Sequence, residues 1–349
     1  MAGTDDVTTP PELAGQAYES AVRSKAAQLK EKLINQTLKD VDSFKDAVWS
    51  QWAADHPGLD PSSSAEPNST DIQRYMDTVR NDYYEWVVPA FERYLTPDPD
   101  AANAMIDTLN AIQNNFGGTA DGTGNFTPSH PGLVRIGDAL NDLTYWVGAL
   151  QENFIDNFLS PLQNVALNEG TVAQVARELL LLNKINYIRH RNAVLKLLDA
   201  SATALDNLVT KNPKPALWAT LIVTSIGTVL TAGTAGTVLV LGTTLSIAGT
   251  LGQGLVPNQP VERQTDLSAP TAQEVAVNIA DAIGRLDSDT EANDVRLVEG
   301  FKQAYDLISH LRSSYIASNT SGPLNVARPG LDSARPASIV GAAFRPSDY

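Results

Sequence analysis

Apolar residues along this chain recur at three- and four-residue steps over long runs, with few of the strict alternations of half-buried strands, and this pattern predicts helix almost throughout. The first run extends from about Leu13 to Ala54 on Ala26, Leu29, Leu33, Val41, Phe44, Val48 and Trp52, and the Pro- and Ser-rich stretch from His56 to Ser69 ends it. A second helix is expected from near Thr70, with an aromatic cluster of Tyr75, Tyr83, Tyr84, Trp86, Phe91 and Tyr94 and a kink at Pro89. Thr96-Pro97-Asp98-Pro99-Asp100 breaks the chain, and a shorter helix with Met105, Leu109 and Ile112 as its apolar positions follows. The Gly- and Thr-rich stretch Gly117 to Gly124, closed by Pro128 and Pro131, reads as a loop.

Leu133, Ile136, Leu140, Leu143, Val147, Leu150, Phe154 and Phe158 are spaced 3, 4, 3, 4, 3, 4, 4, a stripe along which two helices must pack. After Pro161 and Gly170 a long helix is expected to about Lys211, stopped by Asn212-Pro213-Lys214-Pro215; its inward positions run from Val172 through Val175, Leu179, Leu182, Ile185, Ile188, Leu195, Leu198, Ala202 and Leu205 to Val209. Near the other end, Pro270 suits the first turn of a helix, and Thr271 with Glu274 matches a capping box. Val275, Ile279, Ile283, Leu286, Leu297, Phe301, Tyr305, Ile308 and Leu311 carry this second long helix to about Ala317. Residues 1–12 and 318–349 show no apolar period and are expected to be disordered.

Between these long helices lies a segment of a different kind. From Pro215 to Val261 there is no Asp, Glu, Lys or Arg, and the apolar part, Ala216 to Val256, is divided by the turn-forming Thr231-Ala232-Gly233-Thr234-Ala235-Gly236-Thr237. Each arm, read as helix, reaches roughly 25 to 30 Å at 1.5 Å per residue, close to the hydrocarbon thickness of a bilayer. Thr and Val also favour strands, which leaves a β-hairpin open, and Thr237 to Leu241 looks extended. Gly227, Gly233, Gly236, Gly242 and Gly249 allow close packing in water or in lipid, so a hairpin buried against the bundle and one that enters a membrane both fit. The candidate membrane-facing residues are Leu221, Ile222, Val229, Leu230, Gly233, Gly236, Val238, Leu239, Val240 and Leu241.

Composition narrows the function classes. Forty acidic against 25 basic residues give a formal charge of -15, which opposes broad contact with nucleic-acid phosphates. The absence of Cys removes disulfides, thiolate metal sites and a Cys nucleophile. His56, His130, His190 and His310 lie in four separate segments without an HExxH pairing, so no metal site is expected. No Gly-rich phosphate loop ending in Lys-Ser or Lys-Thr and no G-x-S-x-G elbow occurs. Arg189-His190-Arg191 reads as a local basic spot, solvated or salt-bridged. No cofactor and no enzymatic activity are expected, and the first residues lack the basic and apolar regions of a secretory leader.

The string Leu140 to Phe158 resembles the WXG-type helical hairpins exported by actinobacterial ESX (type VII) secretion systems, especially the larger members: Trp146 and Gly148 form the W-x-G, Phe154 follows eight positions after the Trp, and Asn157-Phe158 and Pro161 come next. The long helix Thr171 to Val209, followed by a Gly-rich apolar region, is similar to the layout of those larger proteins. In that family the W-x-G lies in the turn between two helices, whereas here the apolar period runs on through it. The family's export signal, a Tyr followed four residues later by an acidic residue, has one match here, Tyr94 to Asp98, upstream of the motif. The layout of long helices around one apolar hairpin also resembles the helical pore-forming toxins of the cytolysin A and haemolysin BL type, in which the apolar element is hidden until the bundle rearranges.

The expected architecture is an elongated all-α bundle of long helices carrying an apolar Gly/Thr-rich hairpin insert. Its parts are a helical bundle with the W-x-G over residues 13–215, the insert over 216–256, and a linker with the long C-terminal helix over 257–317. The resemblances imply a secreted or surface-acting protein without a cleavable signal peptide, whose partners are membrane lipid and either a second copy or a partner helical protein, with no nucleic acid. The competing expectation is a structural or interaction component, such as a secretion-apparatus or particle subunit, with the insert permanently buried.

Overall fold

A computed structural model of the chain describes residues 7–55, 69–116, 118–120, 126–128, 130–143, 154–208, 218–223, 261–318, 322 and 324–326. Helix dominates, as the three-four periodicity predicts. The elements are α1 (Gly15–Asp55), α2 (Ser69–Asn81), α3 (Val87–Glu92), α4 (Asn103–Phe116), α5 (Pro131–Leu143), α6 (Ser160–Leu208) and α7 (Ala272–Ser318), with two short antiparallel pairs, β1 (Gly118–Ala120) with β2 (Phe126–Pro128) and β3 (Trp218–Val223) with β4 (Val261–Asp266). At 1.5 Å per residue the 49-residue α6 alone spans about 70 Å, so the all-α bundle is elongated.

Cross-helix bonds give the register. Arg312 pairs with Glu169, Asn186 bonds Asp294 and His190 bonds Thr290, so residue numbers on α6 and α7 sum to a nearly constant value and the two helices are antiparallel. Lys25 pairs with Asp199 and Lys32 with Asp206 at one fixed offset, so α1 runs parallel to α6. The main core lies where α1, α3, the second half of α6 and the first half of α7 meet, on Tyr18, Leu29, Leu33, Phe91, Val194, Leu197, Ile279 and Ile283. A smaller cluster of Val175, Leu179 and Ala304, flanked by Val172 and Phe301, joins the opposite halves of α6 and α7. Helix α6 runs through both, which explains why its buried residues spread round most of its circumference rather than along one stripe.

Several expectations are corrected. The chain turns at residues 82–86, ahead of Pro89, which sits in the first turn of α3, where a missing N–H breaks no helical bond. Pro161 and Gly170 do not delay the long helix: a π turn over Ile155–Leu159 leads straight into α6, with Pro161 in its first turn and Gly170 in its interior. Pro89 is tolerated because the four N-terminal amides of a helix have no intrahelical acceptor. The Gly-rich stretch expected to be a loop contributes β1 to a hairpin with β2. Met105 and Tyr305, read as members of the apolar sets, are 60% and 70% exposed because both helices turn other faces inward.

The termini are more structured than expected. Residues 10–13 form a 3-10 turn with Leu13 buried, and Thr9 bonds Asp100. Beyond α7, the Gly322 amide donates to the Asn325 carbonyl at 2.9 Å and Leu324 is buried. A Cβ at Gly322 would lie 2.3 Å from the Tyr315 ring, so this fold-back requires a glycine.

Candidate functional site: the base of the charge-free segment

The charge-free segment begins and ends on the β3–β4 pair. Trp218-Ala219-Thr220-Leu221-Ile222-Val223 is rich in aromatic and branched residues that favour a pleated backbone, and it pairs in antiparallel register with Val261 to Asp266. Leu221 lies opposite Arg263 and Ile222 opposite Glu262, so one strand of the stem is apolar in sequence and the other carries Glu262, Arg263 and Asp266. Of the two readings left open for the segment, residues 218–223 take the extended one: the partner strand supplies the hydrogen bonds that an isolated apolar run would otherwise make along its own helix. Val223 is paired with Val261. Val229, Leu230, Gly233, Gly236, Val238, Leu239, Val240 and Leu241 lie outside the described residues, as do Trp146 and Gly148. Phe154 is described and stacks on Phe158, centroids 5.2 Å apart at 25°.

Directly after β4 the chain enters the bundle. Leu267 is fully buried, and Thr271 Oγ1 accepts the Glu274 amide at 3.3 Å, the N-cap that the Thr271/Glu274 spacing predicts, with Pro270 just outside the helix rather than in its first turn. A second cap comes from α1: Asp40 Oδ2 accepts the Ala272 amide at 2.9 Å, and Gln36 Nε2 donates to Asp40 Oδ1 at 3.1 Å. Gln273 donates to the Tyr83 hydroxyl, Tyr83 meets Tyr84 edge to face at 5.0 Å, and the Tyr84 hydroxyl lies 2.6 Å from Thr37 Oγ1. Burial pushes the Tyr84 phenol up to about 12. Beside these bonds is an open cavity of about 410 Å³ lined by Thr37, Asp40, Val41, Ile72, Tyr75, Thr271 and Gln273.

The densest ionisable cluster lies further along the bundle, and the sequence reading missed it. Arg191, expected at a solvated or salt-bridged spot, is salt-bridged and 2% exposed: Nη1 lies 3.6 Å from Asp98 Oδ1 and donates to the Leu13 carbonyl at 2.7 Å, Nη2 donates to the Leu95 and Pro97 carbonyls at 3.1 and 3.2 Å, and the guanidinium stacks 4.5 Å over Tyr18. Lys184 reaches Asp100 at 2.9 Å and Asn103 at 2.8 Å. Burial pushes the Asp100 carboxyl up, but hydrogen bonds from Lys184, Thr9 and Asn103 outweigh it and hold the group below the ordinary carboxylate value. Tyr94, the Tyr of the export-signal-like string, points inward and donates to Asp287 Oδ1 at 2.5 Å, while Arg93 binds Asp287 Oδ2 at 2.5 Å. Burial and that carboxylate raise the Tyr94 phenol well above its ordinary value.

His190 completes the cluster. Its Nδ1 is 2.9 Å from Thr290 Oγ1, whose one hydrogen goes to the Leu286 carbonyl at 2.8 Å, so Nδ1 carries the proton and donates. Burial pushes the imidazole down to about 4, with Asp287 opposing and Arg191 reinforcing the shift. Each of these groups meets partners within the chain, and the arrangement ties the N-terminal segment, the 93–103 connection and α7 to α6. The signal for it was the spacing of Lys184 and Arg191 on the inward side of a helix whose neighbours offer free carbonyls, which only the connection geometry reveals.

Among the described residues no group of three or more His, Asp or Glu is placed to hold a metal, and no helix is long and apolar enough to cross a membrane. Comparison with protein-family models, with curated proteins and with solved structures finds no match.

Proposed function

We propose that this chain is a non-enzymatic helical-bundle protein that presents its charge-free segment, Ala216 to Val256, to a membrane after export by a type VII-like route, and that it acts as an oligomer, pore formation being one outcome. The observation that carries the reading is a 41-residue run without one charge in a chain of net charge -15, whose residues 218–223 pair with the charged strand 261–266 just beyond it. A charge at the centre of a lipid-inserted helix costs about 2.5 to 3.5 kcal/mol on insertion scales, so a bilayer-entering element excludes charge along its length. A segment that only packs on a bundle keeps an outward face where Lys or Glu is tolerated. The charged strand β4 stays at the water side of such an element. The W-x-G at Trp146 and Gly148 with Phe154 supports the export route.

The test is dye release from liposomes over a range of pH and lipid charge by wild type, Val229→Asp and Thr234→Asp, with helix content followed by circular dichroism. The expected result is release by wild type, loss of release with retained helix for Val229→Asp, and a smaller loss for Thr234→Asp at the central turn. If wild type neither binds nor permeabilises any liposome while Val229→Asp collapses the fold, the segment is core and the chain is a structural or interaction component.

A further inference from the structure

The cavity between α1, α2 and the start of α7 has a chemistry that the proposed membrane role leaves unused. Its lining combines apolar Val41 and Ile72, the half-exposed Tyr75 at 37% exposure, and the acidic Asp40. Asp40 already accepts the Ala272 amide and the Gln36 side chain, both neutral donors. Among the described residues no Lys or Arg, adjacent Lys39 included, is in an ion pair with it, and Lys45, one turn further on, pairs with Asp42. The N-terminus of α7 offers the carboxylate only a partial positive charge. A strongly hydrated metal ion or primary ammonium gains little there, because Val41 and Ile72 cannot replace its water. An alkylated ammonium matches all three features: its positive charge faces the carboxylate, its methyl groups meet the apolar lining, and an aromatic face attracts it through the ring quadrupole. The size, about 410 Å³, is at the small end of ligand pockets.

We propose that this cavity binds a small organic ammonium cation of the choline type, with Asp40 as counter-ion, Tyr75 as aromatic wall, and Val41 and Ile72 as the apolar lining. Burial, reinforced by Tyr83 and Asp40, raises the Tyr75 phenol above its ordinary value. The cation is either a free metabolite or the headgroup of a phosphatidylcholine surface, and the site is the same in both cases.

The experiment is calorimetric titration of the full chain with choline chloride, with sodium chloride at matched ionic strength and with dimethylbutanol, the uncharged carbon isostere of choline. Saturable binding of choline, at least about tenfold tighter than dimethylbutanol, is expected from the combined charge and ring attraction. Asp40→Asn keeps an acceptor for the Ala272 amide and removes the charge, and Tyr75→Leu keeps apolar bulk and removes the ring; each weakens choline by about tenfold or more with helix content unchanged. Absence of saturable choline binding to wild type, or equal binding of choline and its isostere, overturns the proposal. So does a folded Asp40→Asn or Tyr75→Leu variant that binds choline as wild type does. Vesicles of phosphatidylcholine and of phosphatidylglycerol then separate the sources: binding to the former that is lost in Asp40→Asn assigns the headgroup, and binding of free choline alone assigns a soluble cation. Choline binding without dye release removes the membrane role and leaves this site standing.

Discussion

Arg191 and His190 are adjacent on α6, and both are buried for different reasons. The guanidinium is never neutral in a protein, so its burial requires acceptors, and three backbone carbonyls, the Asp98 carboxylate and the Tyr18 ring supply them. The imidazole is instead buried neutral, which makes stability depend on pH. Its folded value, about 4, lies below the ordinary 6.5, so the unfolded chain binds a proton that the folded chain refuses between these limits. The contribution is fully present above pH 6.5 and is lost as pH falls toward 4; the shift corresponds to about 3 kcal/mol. Urea unfolding from pH 8 to pH 4 should show this loss in wild type, and His190→Asn, which can still donate to Thr290, should show a flatter profile. Identical profiles would place the acid sensitivity in other groups. A solvated or salt-bridged spot was expected at Arg189-His190-Arg191, and Arg191 does pair with Asp98, but the burial of His190 and Arg191 was not legible, because a basic tripeptide reads as surface until the 93–103 connection is seen to cover it.

At the scale of elements, the long helices were readable because their apolar residues repeat over many turns. Gly284 shows the propensity side of the same argument. It lies in the interior of α7, on the exposed side, and a Cβ built there meets nothing within 4 Å. Gly284→Ala should therefore stabilise the protein by about 0.5 to 1 kcal/mol, since alanine loses less backbone entropy in a helix. A rise in the urea midpoint without a change in the slope is the expected reading; a fall would mean that α7 bends or opens at this position. Short elements were less legible. The strands β1 and β3 are set by their partners β2 and β4, and Gly118 to Ala120 has no local signal that distinguishes a strand from a loop.

For the whole molecule, two cores share two helices but are unequal. The larger is filled by fully buried side chains from α1, α2, α3, α6, α7 and the connections between them, while the smaller rests on Val175, Leu179 and Ala304, and α4 contributes no fully buried side chain at all. Protection of backbone amides follows the free energy of local opening, which falls where few apolar contacts must be broken. Hydrogen exchange should therefore be slowest in α6 around Ala193, Val194, Leu197 and Leu198, faster around Val175 and Leu179, and fastest in α4. Uniform protection across α4 and α6 would show a single cooperative unit instead.

What the amino-acid sequence by itself determined is the class and the run of the long helices, the capped start of α7 at Thr271, and the boundaries of the charge-free segment. These are local properties: periodicity, capping chemistry and the absence of charge are carried by neighbouring residues. Tertiary structure alone decided that α6 is the central helix, that Arg191, His190 and Lys184 are interior, that residues 218–223 are a strand, and that Asp40 of α1 caps α7 beside a cavity. Each of these depends on a partner far away in sequence, and burial, strand pairing and an interhelical cap exist only once the chain has brought that partner into contact.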